Sequence, residues 1–287
     1  MTSEPAAEKI IGALLTANKS RIRYIGEKHD KIKQVKAIAG NAKPNPEKLF
    51  VAEGIWSHNK ILELNVPVKS FFLCPQLIFT AQTARIAERF TQLTDDIFIV
   101  SDKSFMKISE RDRADGLLSV CRFPVYELSN LPLNKNSLVA VLDGCEIPGN
   151  VGTIARTCDG AQVDAIFLCN RRVRLTHPKV IKGSMGGALT VPFYEFDSVA
   201  SCVDWLKMKN FSVYVADANA GKFYYEFAYT GRTALVMGSE RYGADGGWYD
   251  GGAQPLSIPM LGVCDSLNVG VAASIILYDM SVKLGKK

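Results

Sequence analysis

From residue 49 onward, short runs of apolar and β-branched residues alternate with segments of helical periodicity. LFVAEG reads as a strand, IWSHNKILEL as a helix, VKSFFLCP as a strand and TARIAERF as a helix. The strand IFIVS, the short helix KSFMKI and the strand GLLSVCRF follow. A second series starts at the strand LVAVLDG and runs through the helix GNVGTIARTCDGA, the strand AIFLCN, a turn-rich stretch at 182–187 and the helix VASCVDWLKMK. It continues in the strands FSVYVAD, TALVMG and LSIPM and closes on the long helix SLNVGVAASIILYDMSVKL. Such alternation argues for an α/β protein, with parallel or mixed sheets covered by helices. Between the two series, Leu128–Ser137 carries Pro132 and several Asn and reads as a linker. A chain of 287 residues holds two ordinary domains. The expected organisation is an N-terminal helix or extension over 1–18, a domain over 19–127, the linker over 128–137 and a second domain over 138–287. No internal repeat is visible.

Composition removes several classes. Apolar residues make up 47% and charged residues 22%, which is globular and excludes disorder, a collagen-like repeat or a coiled coil for the whole. The longest largely apolar stretch, Val269 to Leu277, is about half the roughly 20 residues of a membrane-spanning helix. The N-terminal MTSEPAAEKI carries acids and lacks an apolar signal core, so a cytoplasmic protein without a membrane partner is expected. The seven cysteines form no CxxC pair and sit among apolar neighbours, where a thiol acts as a small hydrophobe. His29, His58 and His177 have no partner at metal-ligand spacing, so no metal site is expected. Charge is uneven. The net charge is +5, yet the segment from Lys19 to Lys48 alone carries +6. Ile32, Val35 and Ile38 fall at helical spacing there, which puts the bases on the opposite, wet face. Either this is a solvated helix face or it is a phosphate-facing surface; on the second reading Lys31 and Lys36 are phosphate contacts.

Three glycine-punctuated turns follow strands of the second series: DGCEIPGNVGTIAR (Asp143–Arg156), MGSERYG (Met237–Gly243) and IPMLGVCDSLN (Ile258–Asn268). In α/β sheets, ligands bind where loops converge at the carboxyl ends of strands, and glycine lets the backbone come close. The GxGxxG, GxxxxGK[ST] and GxSxG signatures are absent, which disfavours a dinucleotide-dependent oxidoreductase, a P-loop enzyme and a serine hydrolase. The polar residues of the turns, Asn150, Arg156, Glu240, Ser266 and Asn268, contain no conventional nucleophile–base pair.

Together the turns resemble the three ordered motifs of the SpoU/TrmH family of RNA 2′-O-ribose methyltransferases, within the SPOUT superfamily. The residues that carry the resemblance are Asn150, Gly152 and Arg156; Gly238, Ser239, Glu240 and Gly243; and Ile258, Pro259, Met260 with Ser266, Leu267, Asn268 and Val269. The stretch HPKVIKGSMGGALTVP is also similar to the family. VAEG at Val51–Gly54 and the order of elements around it resemble, more weakly, the small L30-like α/β module that binds substrate in many members. The resemblance implies a C-terminal sheet with a deep trefoil knot, S-adenosylmethionine held in the knotted loops, a homodimer, and methyl transfer to a ribose 2′-hydroxyl of structured RNA, with rRNA favoured over tRNA. It also implies roles. Arg156 is the central catalytic residue. Asn150 orients a loop or the ribose, or serves as a helix N-cap. Glu240 positions loop amides or a basic partner. Ser266 and Asn268 cap the last helix or touch substrate. Gly238, Ile258, Met260 and Leu267 enclose the adenine. Arg171, Arg172 and Arg174, at a strand end, are expected on RNA phosphates.

The chain departs from the family pattern at Arg241-Tyr242, and the following GADGGWYDGG, with Trp248 and Tyr249, reads either as a substrate lip or as a loose loop. A second reading of the whole chain is a non-catalytic RNA-binding or ribosome-assembly factor that keeps the same fold.

Overall fold

The computed structural model describes residues 4–41 and 43–286. The chain forms two compact units, Met1–Phe123 and Pro124–Lys287; residues 1–3 and 287 of the expected outer bounds lie outside the described residues.

The first unit runs α1 (Glu4–Ala17), β1 (Ile22–Tyr24), α2 (Asp30–Ala39), β2 (Leu49–Glu53), α3 (Gly54–Glu63), β3 (Val68–Leu73), α4 (Ala81–Phe90), β4 (Ile97–Ile99), α5 (Asp102–Phe105) and β5 (Leu117–Arg122). Its sheet is mixed, in the order β1-β4-β3-β5-β2, with β5 antiparallel to both its neighbours. Strand β1 was not foreseen: only three residues long, it lies inside the basic run and shows no apolar alternation. Helix α2 does form as the periodicity indicates, with Ile32 and Val35 buried against Phe72, Phe98 and Leu118. Its N-cap is His29, whose Nδ1 accepts from the Lys31 N–H. Among the described residues of α1, Ala7, Ile11 and Leu14 are buried, so this helix is part of the first unit's packing.

The second unit contains β6 (Leu138–Asp143), α6 (Pro148–Gly160), β7 (Ala165–Cys169), α7 (Pro178–Ser184), α8 (Gly187–Thr190), β8 (Phe193–Glu195), α9 (Val199–Met208), β9 (Ser212–Ala216), β10 (Thr233–Met237), α10 (Gly246–Asp250), β11 (Gln254–Leu256) and α11 (Val269–Lys283). The six strands pair in the order β11-β9-β10-β6-β7-β8, and every pairing is parallel. Strands covered on both faces read as unbroken apolar runs, as LVAVLD and TALVM do. Helix α9 and Trp248 cover one face through Val139, Val141, Phe167, Val215 and Val236, while α6 and α11 pack on the other. Leu131 is buried in this core, with Leu128 and Leu133 against it, so the segment expected as a linker is folded onto the second unit.

The chain leaves β6 toward β7 and β8 on one side, then returns to place β9, β10 and β11 on the other. The loops after β6 and β10 therefore part in opposite directions at a topological switch point, which is where open parallel sheets bind ligands.

Candidate functional site

The loops after β6 and β10 and the segment before α11 meet at this switch point. Asn150 sits in the first turn of α6, 8% exposed, and its Nδ2 donates to Glu240 Oε1 at 2.6 Å. Its Oδ1 accepts from Asn268 Nδ2 at 3.1 Å. Glu240 Oε2 accepts from the Glu146 N–H at 3.1 Å, and Asn268 Oδ1 caps α11 by accepting from the Gly270 and Val271 N–H groups. One hydrogen-bonded chain thus joins all three motif turns. Burial acts to raise the Glu240 carboxyl, but donors from Asn150, Glu146 and neighbouring backbone outweigh it and hold the group below the usual carboxylate range. Asn150 is not a helix N-cap. Ile147 holds that position without a side-chain bond, and Pro148 at the first helical position has no N–H to lose. Ser266 does not cap α11 either; it is exposed and its hydroxyl donates to Asp265.

Beside this chain lies a cavity of about 430 Å³, within the usual range for a cofactor-sized ligand. Gly238, Ile258, Met260 and Leu267 all line it, together with Glu240, Ser266 and Asn268. Gly238 is required by space: a Cβ there would stand 2.2 Å from the Gly243 carbonyl carbon and the Ala244 nitrogen. The walls also include Ala216, the last residue of β9, and Asp217 directly after it. Sequence reasoning passed over Asp217, although it is the first polar residue after a strand and so marks a carboxyl end. Its Oδ1 accepts from the Asn219 N–H and its Oδ2 from the Tyr249 hydroxyl, 2.9 Å in each case. Asp217, Glu240 and Asp265 are carboxylates, while the lining contains no Lys, Arg or His. A cavity of this sign suits a cationic ligand.

Arg156 does not line the cavity. It is exposed on α6 and faces a neighbouring hollow with Met185, Ser274 and Tyr278. Thr157 and Ser274 share a 2.7 Å hydroxyl hydrogen bond that fastens α6 to α11 beneath this hollow.

The glycine-rich segment after β10 is not a loose loop. Asp245 caps α10 through the Gly247 N–H, and Trp248 is fully buried. Asp143, 3% exposed at the end of β6, accepts from Trp248 Nε1 at 2.9 Å, the Asp245 N–H at 2.7 Å and Asn170 Nδ2 at 2.7 Å. A buried carboxylate needs this many donors, and here they tie the ends of β6 and β7 to the cap of α10.

Several of the expected RNA contacts already have partners. Arg171 pairs with Glu195 at 2.7 Å; Arg172 is exposed and Arg174 half-buried. In the first unit Lys31 and Arg23 both bind Asp96, Arg21 binds Asp95 and Lys33 binds Asp30, whereas Lys36 is exposed. The run of +6 is partly neutralised by acids from beyond its own segment. Among the described residues there is no group of three or more His, Cys, Asp and Glu that could hold a metal ion, and no helix long and apolar enough to cross a membrane. His177 caps α7 through the Lys179 N–H. Burial holds His58 neutral, down to about 4, between Gly54 O and Ser119 Oγ.

Residues 137–278 match the SpoU rRNA Methylase family, and this span contains all three turns. The chain carries a SpoU-family domain. Among relatives, it is 28% identical over 183 residues to the 23S rRNA (guanosine(2553)-2′-O)-methyltransferase RlmP of Bacillus subtilis, covering 64% of this chain and 71% of that protein. It is 24% identical over 264 residues to the 23S rRNA (uridine(2479)-2′-O)-methyltransferase of Streptomyces viridochromogenes, covering 90% and 91%. Its fold is shared with an AdoMet-bound rRNA methyltransferase from Sinorhizobium meliloti, with a TM-score of 0.80, 20% identity and coverage of 91% and 97% of the two chains. The AviRb methyltransferase of Streptomyces viridochromogenes in complex with AdoMet gives a TM-score of 0.79 at 22% identity, covering 90% of this chain and 99% of that one. The SpoU domain thus holds the cavity, the hydrogen-bonded chain and Arg156.

Proposed function

We propose that this chain transfers a methyl group from S-adenosylmethionine to a ribose 2′-hydroxyl of structured RNA, with ribosomal RNA as the substrate class. The observation that carries the reading is the link Asn268–Asn150–Glu240, which joins three motifs distant in sequence along the wall of one cavity. The residues fit the cofactor: apolar walls from Ile258, Met260 and Leu267, a glycine-tight turn at Gly238, and three carboxylates facing a cationic donor. Bound there, the cofactor supplies an electrophilic methyl on a sulfonium that leaves as a neutral thioether. Asn150 and Glu240 hold the turns in register, and Asn268 fixes the start of α11. Arg156 is the catalytic residue. Its guanidinium stays protonated at neutral pH, so its work is to clamp a phosphate beside the target ribose and to stabilise the oxygen as its proton leaves. Ser266 contacts substrate at the cavity mouth. Arg171, Arg172, Arg174, Lys31 and Lys36 are assigned to RNA phosphates.

The proposal includes a deep trefoil knot in the loops that line the cavity, an L30-like RNA-binding role for the first unit, and a cytoplasmic homodimer. Support for the dimer comes from apolar side chains turned to solvent: Leu261 is 97% exposed, Val263 wholly so, and Val271, Tyr278 and Val282 recur at helical spacing on α11.

The test is transfer of tritiated methyl from S-adenosylmethionine to RNA of cells lacking the protein, with wild type and Arg156→Ala compared. The expected result is label in ribose 2′-O positions of ribosomal RNA, lost at least 100-fold in the variant. Cofactor affinity should stay within about twofold, because Arg156 lies outside the cavity. No incorporation into any cellular RNA would replace this reading with that of a binding or assembly factor.

A further inference from the structure

The turn between β10 and α10 displays two side chains that the proposed chemistry leaves unused. Ser239 and Gly243 exchange backbone hydrogen bonds of 2.9 and 3.0 Å, and Ser239 Oγ accepts from the Tyr242 N–H at 3.0 Å. Gly243 adopts φ +71°, a left-handed conformation that glycine takes without strain. The turn is therefore stitched closed, and its tip consists of Arg241 and Tyr242. Tyr242 is 75% exposed, and the Arg241 guanidinium lies 5.5 Å from the centre of its ring. Among the described residues Arg241 makes no salt bridge. Neither side chain lines the cavity, but Glu240, immediately before them, does.

The other aromatics of this segment are engaged elsewhere, Trp248 in the core and Tyr249 on Asp217. Unpaired RNA bases stack on aromatic rings and on guanidinium planes. A turn already fixed in shape lets them do so with little further ordering cost.

We propose that Arg241 and Tyr242 form a stacking platform for an unpaired base of the substrate RNA next to the target ribose. This rests on the methyltransferase reading and names the feature of the RNA which that site recognises. The platform governs RNA engagement and leaves the methyl donor untouched, since the two side chains stand outside the cavity.

The experiment uses the full chain and unmodified ribosomal RNA from cells lacking it. Tyr242→Ala should raise the RNA KM about tenfold, the effect of losing one stacked base, with kcat and cofactor affinity within twofold. Tyr242→Phe and Tyr242→Trp should stay close to wild type, and the added indole of Tyr242→Trp should be quenched on RNA binding relative to wild type. Arg241→Gln should weaken RNA binding and flatten its salt dependence. Equal KM values for the Ala and Phe variants, or an indole that the RNA leaves unquenched, would overturn the platform. If wild type binds cofactor yet methylates nothing, the parent reading falls on its own. The fluorescence arm then decides: quenching keeps a base platform, and its absence removes it.

Discussion

Replacing Asn150 by Ala cuts the hydrogen-bonded chain at its centre, and its cost can be worked from the bonds lost. The Asn150–Glu240 bond involves a carboxylate and would contribute about 1.5–3 kcal/mol if buried. Because Glu240 is exposed to water, about 1.5 kcal/mol is the appropriate figure. The Asn268–Asn150 bond joins two neutral amides and adds about 0.5–1 kcal/mol. Alanine recovers about 0.5 kcal/mol through its higher helix propensity. The net destabilisation is about 1.5–2 kcal/mol at pH 7. The Glu240 carboxyl is lowered in the folded state, so the stability tied to its ionised form is fully present above its ordinary value of 4.5. It is lost as pH falls through the lower, folded value. The gap between wild type and variant should therefore shrink to about 0.5 kcal/mol well below pH 4. Urea unfolding followed by tryptophan fluorescence in a Trp56→Phe background reports the second unit alone, through Trp205 and Trp248. Cofactor affinity should drop roughly tenfold in parallel, since two lining residues lose their anchor. A destabilisation that is the same at pH 7 and pH 3.5, or is absent at both, would refute the account of Glu240 as the charged partner.

Trp248→Phe removes one of three donors to the buried Asp143 and should cost about 3 kcal/mol in the same assay, from the lost charge-assisted bond plus the smaller ring; under 1 kcal/mol would mean that Asp143 finds a replacement donor. Removing Arg171, Arg172 and Arg174 together should flatten the salt dependence of RNA binding by fewer than three contacts, because Glu195 already neutralises Arg171; a full three-contact change in a filter-binding titration would show that this pair opens on RNA. In thiol labelling at pH 8, Cys264, the exposed cysteine, should react first. Cys145 should resist, because burial and then the nearby Glu240 and Asp143 push its thiol up to about 12.

The cavity at the switch point was readable because its determinants are local. Gly238, Glu240 and Asn268 each lie in a short turn directly after a strand or before a helix, and periodicity located those boundaries. What escaped the sequence depends on distant partners. Trp248 and Tyr249 look alike as aromatics in a glycine-rich stretch; only Asp143 and Asp217, 105 and 32 residues away in sequence, send one to the core and fix the other. The basic run counted as +6 because Asp95 and Asp96 lie far along the chain. Strand β1 is too short to carry a period of its own.

Helix α6 bears Asn150 at its start and Arg156 six residues on, about 9 Å along the axis. The cavity beside Asn150 and the hollow at Arg156 lie along this one helix, which is held to α11 by Thr157 and Ser274 and seated against α7 at Gly152, where a Cβ would fall 2.8 Å from the Val180 carbonyl oxygen. No break in α6 intervenes between Asn150 and Arg156. On the proposed reading this fixes the distance between the guanidinium and the start of the helix, so selectivity falls to how the incoming nucleic acid is folded and delivered.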